Sequence, residues 1–316
     1  MTKVLYKFIE EKEFPIAKDI QEVIGQDDVT RKLNFFIKSH NHGKCFPTLL
    51  FSGSHGLGKT YIAKKLANGL GRRYLELNCA SIRSAKDFFE MAMKKISGDK
   101  GATILLDESH ALNNEVTNIL LSILNPSENM LNEYQFDDIT YLFNLNLMNF
   151  IFATTDAHEM FSPLKNRCEQ IYFHPYDKDS VLKMLGMYLP HIQFECDVDE
   201  VVDACRGRGR DTFLLAKNLD RHLLGLKTID EDLWEDFKFI FDIYPLGLKR
   251  EELNLLKVID KYGPISCANL ALKSMVNQKN IKEELEVRLQ EVGLISSTTR
   301  GRVITEKGKR YLSSIK

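Results

Sequence analysis

An α/β fold is predicted: a parallel sheet covered by helices, then a purely helical segment, then a small C-terminal unit of three helices and a β-hairpin. Three observations predict it. Short apolar runs at Leu49–Phe51, Tyr74–Leu77, Thr103–Leu106, Phe150–Thr154 and Ile171–Phe173 alternate with helical stretches, as in a parallel sheet with both faces covered. Residues 177 to about 226 show helical periodicity only, including Ser180–Leu189 and Asp211–Leu224. From Leu246 onward, three amphipathic helices precede two short strands around Arg300-Gly301-Arg302, the order of a winged helix. The expected divisions are 1–176, 177–245 and 246–316.

Composition narrows the function classes. The chain has 316 residues, 44% hydrophobic and 28% charged, enough to bury a core in each of two or three domains. No apolar run approaches the roughly 18 residues that span a bilayer, and MTKVLYKFIEEKEF mixes charges among its apolar residues, so a cytoplasmic protein with no membrane contact is expected. Six cysteines lack C-x-x-C or metal-ligand spacing, which predicts reduced, mostly buried thiols. A net charge of -1 argues against coating nucleic acid along the whole surface, yet the segment from Leu246 carries 14 Lys and Arg against 8 Asp and Glu.

Within the lead-in of residues 1–46, Val29, Leu33, Phe36 and Ile37 mark an amphipathic helix. The first strand then runs into GSHGLGKT at residues 53–60, followed by an amphipathic helix Thr60–Leu70. Strand, G-x-x-x-x-G-K-T and helix together make a phosphate cradle. Gly53, Gly56 and Gly58 let successive N–H groups turn toward phosphate oxygens, and the helix N-terminus adds partial positive charge. Lys59 is expected on the β- and γ-phosphates and Thr60 on Mg²⁺, with Leu57 and Tyr61 completing the nucleotide-contacting set.

ILLDES, residues 104–109, ends a buried strand in two carboxylates, which burial penalises unless a cation or donors compensate. Asp107 is expected in the metal shell and Glu108 as the base that activates water, favouring hydrolysis over phosphoryl transfer to a metabolite. A helix cap at the strand's end is the competing reading. FIFATTD places Thr154 or Thr155 near the γ-phosphate, and SPLKNRC sets Arg167 just before the fifth strand. In residues 126–149, Tyr134, Phe136, Ile139, Tyr141 and Phe143 alternate as two strands would.

At the C-terminus, Lys249–Tyr262 forms one helix, GPIS a turn, a second helix runs through Leu270, and Lys279–Val292 forms a third. Arg300 and Arg302 flank the hairpin glycine, with Lys307, Lys309 and Arg310 nearby. These five cations are expected to contact branched or duplex DNA. Protein docking is the alternative use of such a unit.

In their order, EVIGQDDVTRKL, GSHGLGKT, LLDESHAL, FATTDA, SPLKNRC, RGRGRDTFLLAKNL and TTRGRVITEKG resemble the AAA+ ATPases, and within them the RuvB family of Holliday-junction branch-migration motors. The likeness spans residues 13 to 312. It implies a P-loop NTPase core, a helical lid and a C-terminal winged helix. By position it puts Ile24 and Gly25 beside adenine with Tyr176 against the base, and makes Thr155 the polar sensor. Arg167 becomes the arginine finger reaching a neighbouring subunit, and Arg210 the second sensor on the subunit's own γ-phosphate. ATP and Mg²⁺ follow as cofactors, a homo-oligomeric, hexameric ring as the assembly, and a RuvA-like junction-binding protein as a partner of residues 126–149.

Departures from the family pattern keep other readings open. Ser54 and His55 replace the usual prolines of the phosphate loop, Asp156 replaces an arginine, and KNRC is closer to the clamp-loader motif. Besides an ATP-driven translocase for recombination and repair, the sequence fits a clamp-loader-like ATPase that places a ring on DNA. It also fits a winged-helix regulator switched by nucleotide.

Overall fold

Continuous apolar runs become strands buried on both sides because helices pack above and below them. The computed structural model describes residues 3–6, 16–20, 23–96, 101–127 and 130–315. The chain folds as two units, residues 1–180 with 208–210, and residues 181–207 with 211–316. The first unit contains, in order, β1 (Lys3–Tyr6), α1 (Asp27–Asn41), β2 (Leu49–Ser52), α2 (Lys59–Gly69), β3 (Arg73–Asn78), α3 (Ala85–Ile96), β4 (Ala102–Asp107) and α4 (Asn114–Ile123). It continues through β5 (Leu131–Phe136), β6 (Ile139–Asn144), β7 (Met148–Thr154), α5 (Ser162–Lys165), β8 (Glu169–Tyr172) and the start of α6 (Lys178–Tyr188).

The main sheet is parallel in the order β3-β4-β7-β2-β8. Central β2 and β7 are buried throughout, while edge strands β3 and β8 keep exposed residues. Alternation sorts neighbouring side chains to opposite faces. Ile104, Leu106, Phe150 and Phe152 pack with Phe88, Ile119 and Leu120 of α3 and α4. Leu105 and Ile151 pack with Leu33, Ile37, Ile62 and Leu66 of α1 and α2. Each such side chain contributes about 1.5–3 kcal/mol on burial. Because the strands are parallel, Ser52, Asp107 and Thr154 emerge along one edge of the sheet, where ligands of open α/β sheets bind.

The alternating segment folds as the β5–β6 hairpin, in register from Leu131↔Asn144 to Phe136↔Ile139. β1, which the sequence did not signal, adds parallel to β6. Tyr134, Phe136 and Tyr141 stack on Phe89 of α3, with ring centroids 5.7, 4.7 and 4.5 Å away. The hairpin's aromatic side chains are therefore packed on their own unit, and Glu133, Gln135, Asp137 and Asp138 face solvent.

The second unit contains β9 (Gln193–Phe194), α7 (Val198–Ala204), α8 (Gly209–Leu223, its first two residues counted with the first unit), β10 (Thr228–Ile229) and α9 (Glu231–Ile240). Then follow β11 (Ile243–Tyr244), β12 (Leu248–Lys249), α10 (Arg250–Tyr262), α11 (Cys267–Ser274), α12 (Gln278–Asn280), a π turn at Ile281–Leu285, and α13 (Glu286–Glu291). The hairpin β13 (Ile295–Thr298) and β14 (Gly301–Ile304) and α14 (Glu306–Ser314) complete it. Leu253, Leu256, Ile259, Leu270, Ile281, Leu285 and Leu289 form the core of the winged helix. The third helix runs where expected, with a π turn at Ile281–Leu285 inside it, after which Glu286 is buried.

No helix of the described residues is long and apolar enough to cross a membrane. All six cysteines are free thiols; Cys79, Cys196, Cys205 and Cys267 are buried. Burial pushes Cys168 and Cys205 up to about 12.

Candidate functional site

The loop between β2 and α2 is built around glycines in the left-handed region. Gly53 has φ +150° and Gly58 +90°; a Cβ at Gly53 would lie 2.7 Å from the Phe173 carbonyl, and one at Gly58 2.8 Å from the Tyr176 hydroxyl. Larger residues do not fit this turn. Gly58 ends the loop as the N-cap of α2, so the unpaired N–H groups of the first helical turn open onto the loop. Lys59 is buried and donates to the carbonyls of Gly53 at 2.6 Å and Ser54 at 2.9 Å. Burial lowers its pKa, the carboxylates of Asp107 and Glu108 oppose that shift, and the Arg210 guanidinium reinforces it. A phosphate would supply the missing negative charge.

Asp107 ends β4, and its Oδ1 accepts from the Glu108 N–H at 3.1 Å. Glu108 is held at φ +53°, a conformation costly for a residue with a Cβ, and its side chain makes no capping bond to the short helical turn that follows. α4 is capped by Asn113 instead, which accepts from the Val116 N–H. The helix-cap reading of this carboxylate pair thus has no hydrogen bond behind it.

Two histidines flank Glu108. His55 Nδ1 lies 3.6 Å from Oε1 and His110 Nδ1 3.5 Å from Oε2. His110 Nδ1 also hydrogen-bonds the Thr154 hydroxyl at 3.0 Å, linking the ends of β4 and β7. Thr154 is buried and additionally accepts from the Asp156 N–H, while Thr155, just past the strand, is only partly buried. His110 escaped the sequence reading because a histidine in a strand-end turn has no signature; its position three residues past Asp107 was the available signal.

The IGQ segment acquires a structural reason. Gln26 donates to the His174 carbonyl at 2.6 Å and accepts from its N–H at 3.3 Å. That clamp holds the chain after β8 against the lead-in. Tyr176 then packs its ring on Gly25, where a Cβ would come within 2.6 Å, and donates its hydroxyl to the Leu57 carbonyl at 3.0 Å. Ile24, Gly25 and Tyr176 are thereby gathered beside the phosphate loop. The Leu57 side chain is buried in the core, whereas the Tyr61 ring is exposed. The N–H of Arg210 donates to the Gly56 carbonyl at 3.4 Å. Arg167 lies apart from these groups in its own chain, donating to the Leu121 carbonyl at 2.5 Å and the Asn125 side chain at 3.2 Å.

At the C-terminus, β13 and β14 pair from Ile295↔Ile304 to Thr298↔Gly301, leaving Thr299 and Arg300 as the exposed tip. Arg302, expected on DNA, is paired within its own unit. Its Nε donates to both oxygens of Glu286 at 3.0 Å, Nη2 lies 2.9 Å from Oε2, and the two side chains are 19% and 8% exposed. With its guanidinium committed inward, Arg302 braces the wing. Lys307 and Lys309 are exposed but donate to the Val292 carbonyl and to Glu306, and Arg310 is exposed on α14.

Comparison with known proteins agrees with this geometry. Residues 49–176 match the ATPase family associated with various cellular activities (AAA), and residues 245–313 match the RuvB C-terminal winged helix domain. The chain is 26% identical to the Holliday junction branch migration complex subunit RuvB of Fervidobacterium nodosum, covering 93% of this chain and 87% of that protein. It is 27% identical to the protein of the same name from Bdellovibrio bacteriovorus, covering 90% and 89%. Among solved structures, a point mutant of Thermotoga maritima RuvB superposes with a TM-score of 0.79 at 25% identity, covering 95% of this chain and 99% of that one. An AAA module ending in Tyr176 and a RuvB winged-helix module beginning at Pro245 lie in one chain that aligns along most of its length with RuvB proteins: the chain belongs to the RuvB-type AAA ATPases.

Proposed function

We propose that the chain is an ATP-driven DNA translocase that moves the branch point of Holliday junctions in recombination and repair, the activity named for its relatives. One observation carries this reading: a phosphate loop with the Asp107 and Glu108 carboxylates beside it and a winged helix with an exposed arginine at its tip occur in a single chain.

ATP would lie with its phosphates on the N–H groups of residues 53–60 and its base near Ile24, Gly25 and Tyr176. Lys59 would exchange its loop carbonyls for the β- and γ-phosphates. A Mg²⁺ ion held by Thr60 and Asp107 would neutralise phosphate charge, and the donor set, a hydroxyl beside a carboxylate, suits that hard cation. Glu108 accepts the proton of the attacking water, with His55 and His110 beside it. Thr154 and Thr155 mark the sensor position; because Thr154 already hydrogen-bonds His110, Thr155 is the residue assigned to the γ-phosphate. Arg210 acts on the same nucleotide. Arg167 completes the pocket of an adjoining copy in a hexameric ring, where charge developing on the phosphoryl group needs a second guanidinium.

The DNA contacts assigned are Arg300 at the wing tip with Lys307, Lys309 and Arg310 on α14, acting in the cytoplasm on branched or duplex DNA. A RuvA-like partner would meet residues 126–149 on the outer, acidic face of the hairpin, since the aromatic face is packed on Phe89. The test is a four-way junction with labelled arms. Protein with ATP and a RuvA-like protein should resolve it into two duplexes, and Glu108→Gln protein should not; turnover of ATP with no movement of any branched substrate would overturn the assignment.

A further inference from the structure

The passage from the helical segment into the winged helix is a locked joint. Three successive carbonyls of Pro245, Leu246 and Gly247 are each held by a different side chain. Tyr311 donates its hydroxyl to Pro245 at 2.8 Å and Arg288 donates Nη2 to Leu246 at 2.7 Å. Arg206 donates Nε and Nη2 to Gly247 at 3.0 and 2.8 Å. The backbone leaves the joint no slack: Leu246 has φ +61° and Gly247 +66°, and a Cβ at Gly247 would fall 2.0 Å from the Asp203 carbonyl.

Arg206 is the centre of this arrangement. Its two Nη atoms also meet both oxygens of Glu252 at 2.9 and 2.6 Å, and the pair is 8% and 2% exposed. Glu252 in turn accepts the Lys249 N–H at 2.8 Å and so caps α10, the first helix of the winged helix. A buried ion pair of this kind is weak support for stability, because well-packed apolar residues serve at least as well; what it supplies is a single geometry. The planar guanidinium meets the carboxylate with two nitrogens and the Gly247 carbonyl as well, a fixed fork that the single nitrogen of a lysine does not reproduce. Arg206 follows Cys205, the C-cap of α7, and stands four residues before Arg210 in the same short segment.

We infer that Arg206 is a positioning residue that couples the nucleotide pocket to DNA movement, by tying the segment that ends in Arg210 to the first helix of the winged helix through Glu252. With the joint locked, a displacement at Arg210 on ATP turnover is carried to the wing rather than lost in a flexible tether. This rests on the translocase reading above.

The test uses the full chain with Arg206→Lys and, as a milder variant, Glu252→Gln, which keeps an acceptor for the α10 cap. Three quantities are measured: ATP turnover with and without junction DNA, junction movement, and the distance distribution between spin labels on unnatural side chains at Lys217 of α8 and Ser313 of α14. Expected for both variants are DNA-free turnover within about twofold of the parent, movement per ATP reduced about tenfold or more, and a broadened distance distribution. Variants that move DNA per ATP as well as the parent overturn the inference, as does an unchanged distribution. A parent chain that hydrolyses ATP without moving any junction fails the translocase reading instead, and the distance measurement still decides whether Arg206 locks the joint.

Discussion

Arg300 and Arg302 stand two residues apart in the wing, and substituting each separates DNA contact from internal bracing. Arg302→Ala removes the guanidinium that meets both oxygens of Glu286, a carboxylate that also accepts from Ser297 at 3.1 Å and Gln290 at 3.0 Å. The two neutral donors remain, but the charge is left buried and unpaired, a loss of about 3–5 kcal/mol. Arg300→Ala at the exposed tip removes no such partner and should change stability by less than about 0.5 kcal/mol. For DNA binding the order reverses: Arg300→Ala should reduce the slope of log affinity against log salt by about 1, one phosphate contact, while folded Arg302→Ala protein keeps the parent slope. Urea unfolding gives the first quantity, and fluorescence anisotropy on a duplex at several salt concentrations the second. A parent-like unfolding midpoint for Arg302→Ala, together with a reduced salt slope, would show that Arg302 faces DNA and that the Glu286 pair does not hold in solution.

Further outcomes follow from the same geometry. Glu108→Gln should lower ATP turnover by about 10²–10⁴-fold while nucleotide binding measured by calorimetry is retained, since Lys59 and the loop are untouched; loss of binding in proportion to turnover would contradict the base assignment. Arg167→Ala should lower turnover about 10³-fold or more. Mixing that variant with Lys59→Ala protein should restore part of the rate, because one supplies an intact pocket and the other an intact finger; no recovery on mixing argues against a shared site. Phe89→Ala removes the ring on which Tyr134, Phe136 and Tyr141 stack, and should cost about 3–5 kcal/mol, read by thermal unfolding. His110→Ala breaks the hydrogen bond to Thr154 and the approach to Glu108, and should lower turnover less than Glu108→Gln while leaving nucleotide affinity unchanged.

Local chemistry made much of this chain readable in one dimension. Runs such as Leu49–Phe51 and Phe150–Thr154 are apolar at consecutive positions because both faces of those strands are buried, and the fold class follows from their spacing. GSHGLGKT is legible for a similar reason: a phosphate loop needs left-handed glycines and a lysine at set offsets, whatever surrounds it. What depends on residues distant in sequence was not legible. His110 reaches Thr154 across 44 positions, Arg302 turns toward Glu286 across 16, and Arg206 finds Glu252 across 46. For Arg302 the cationic pattern pointed to DNA, and only the packing of the wing on α13 determined that the guanidinium faces inward. Periodicity reports which side of an element is apolar; which polar group meets a buried charge is decided by the close approach of separate elements, and that exists only once the chain has folded.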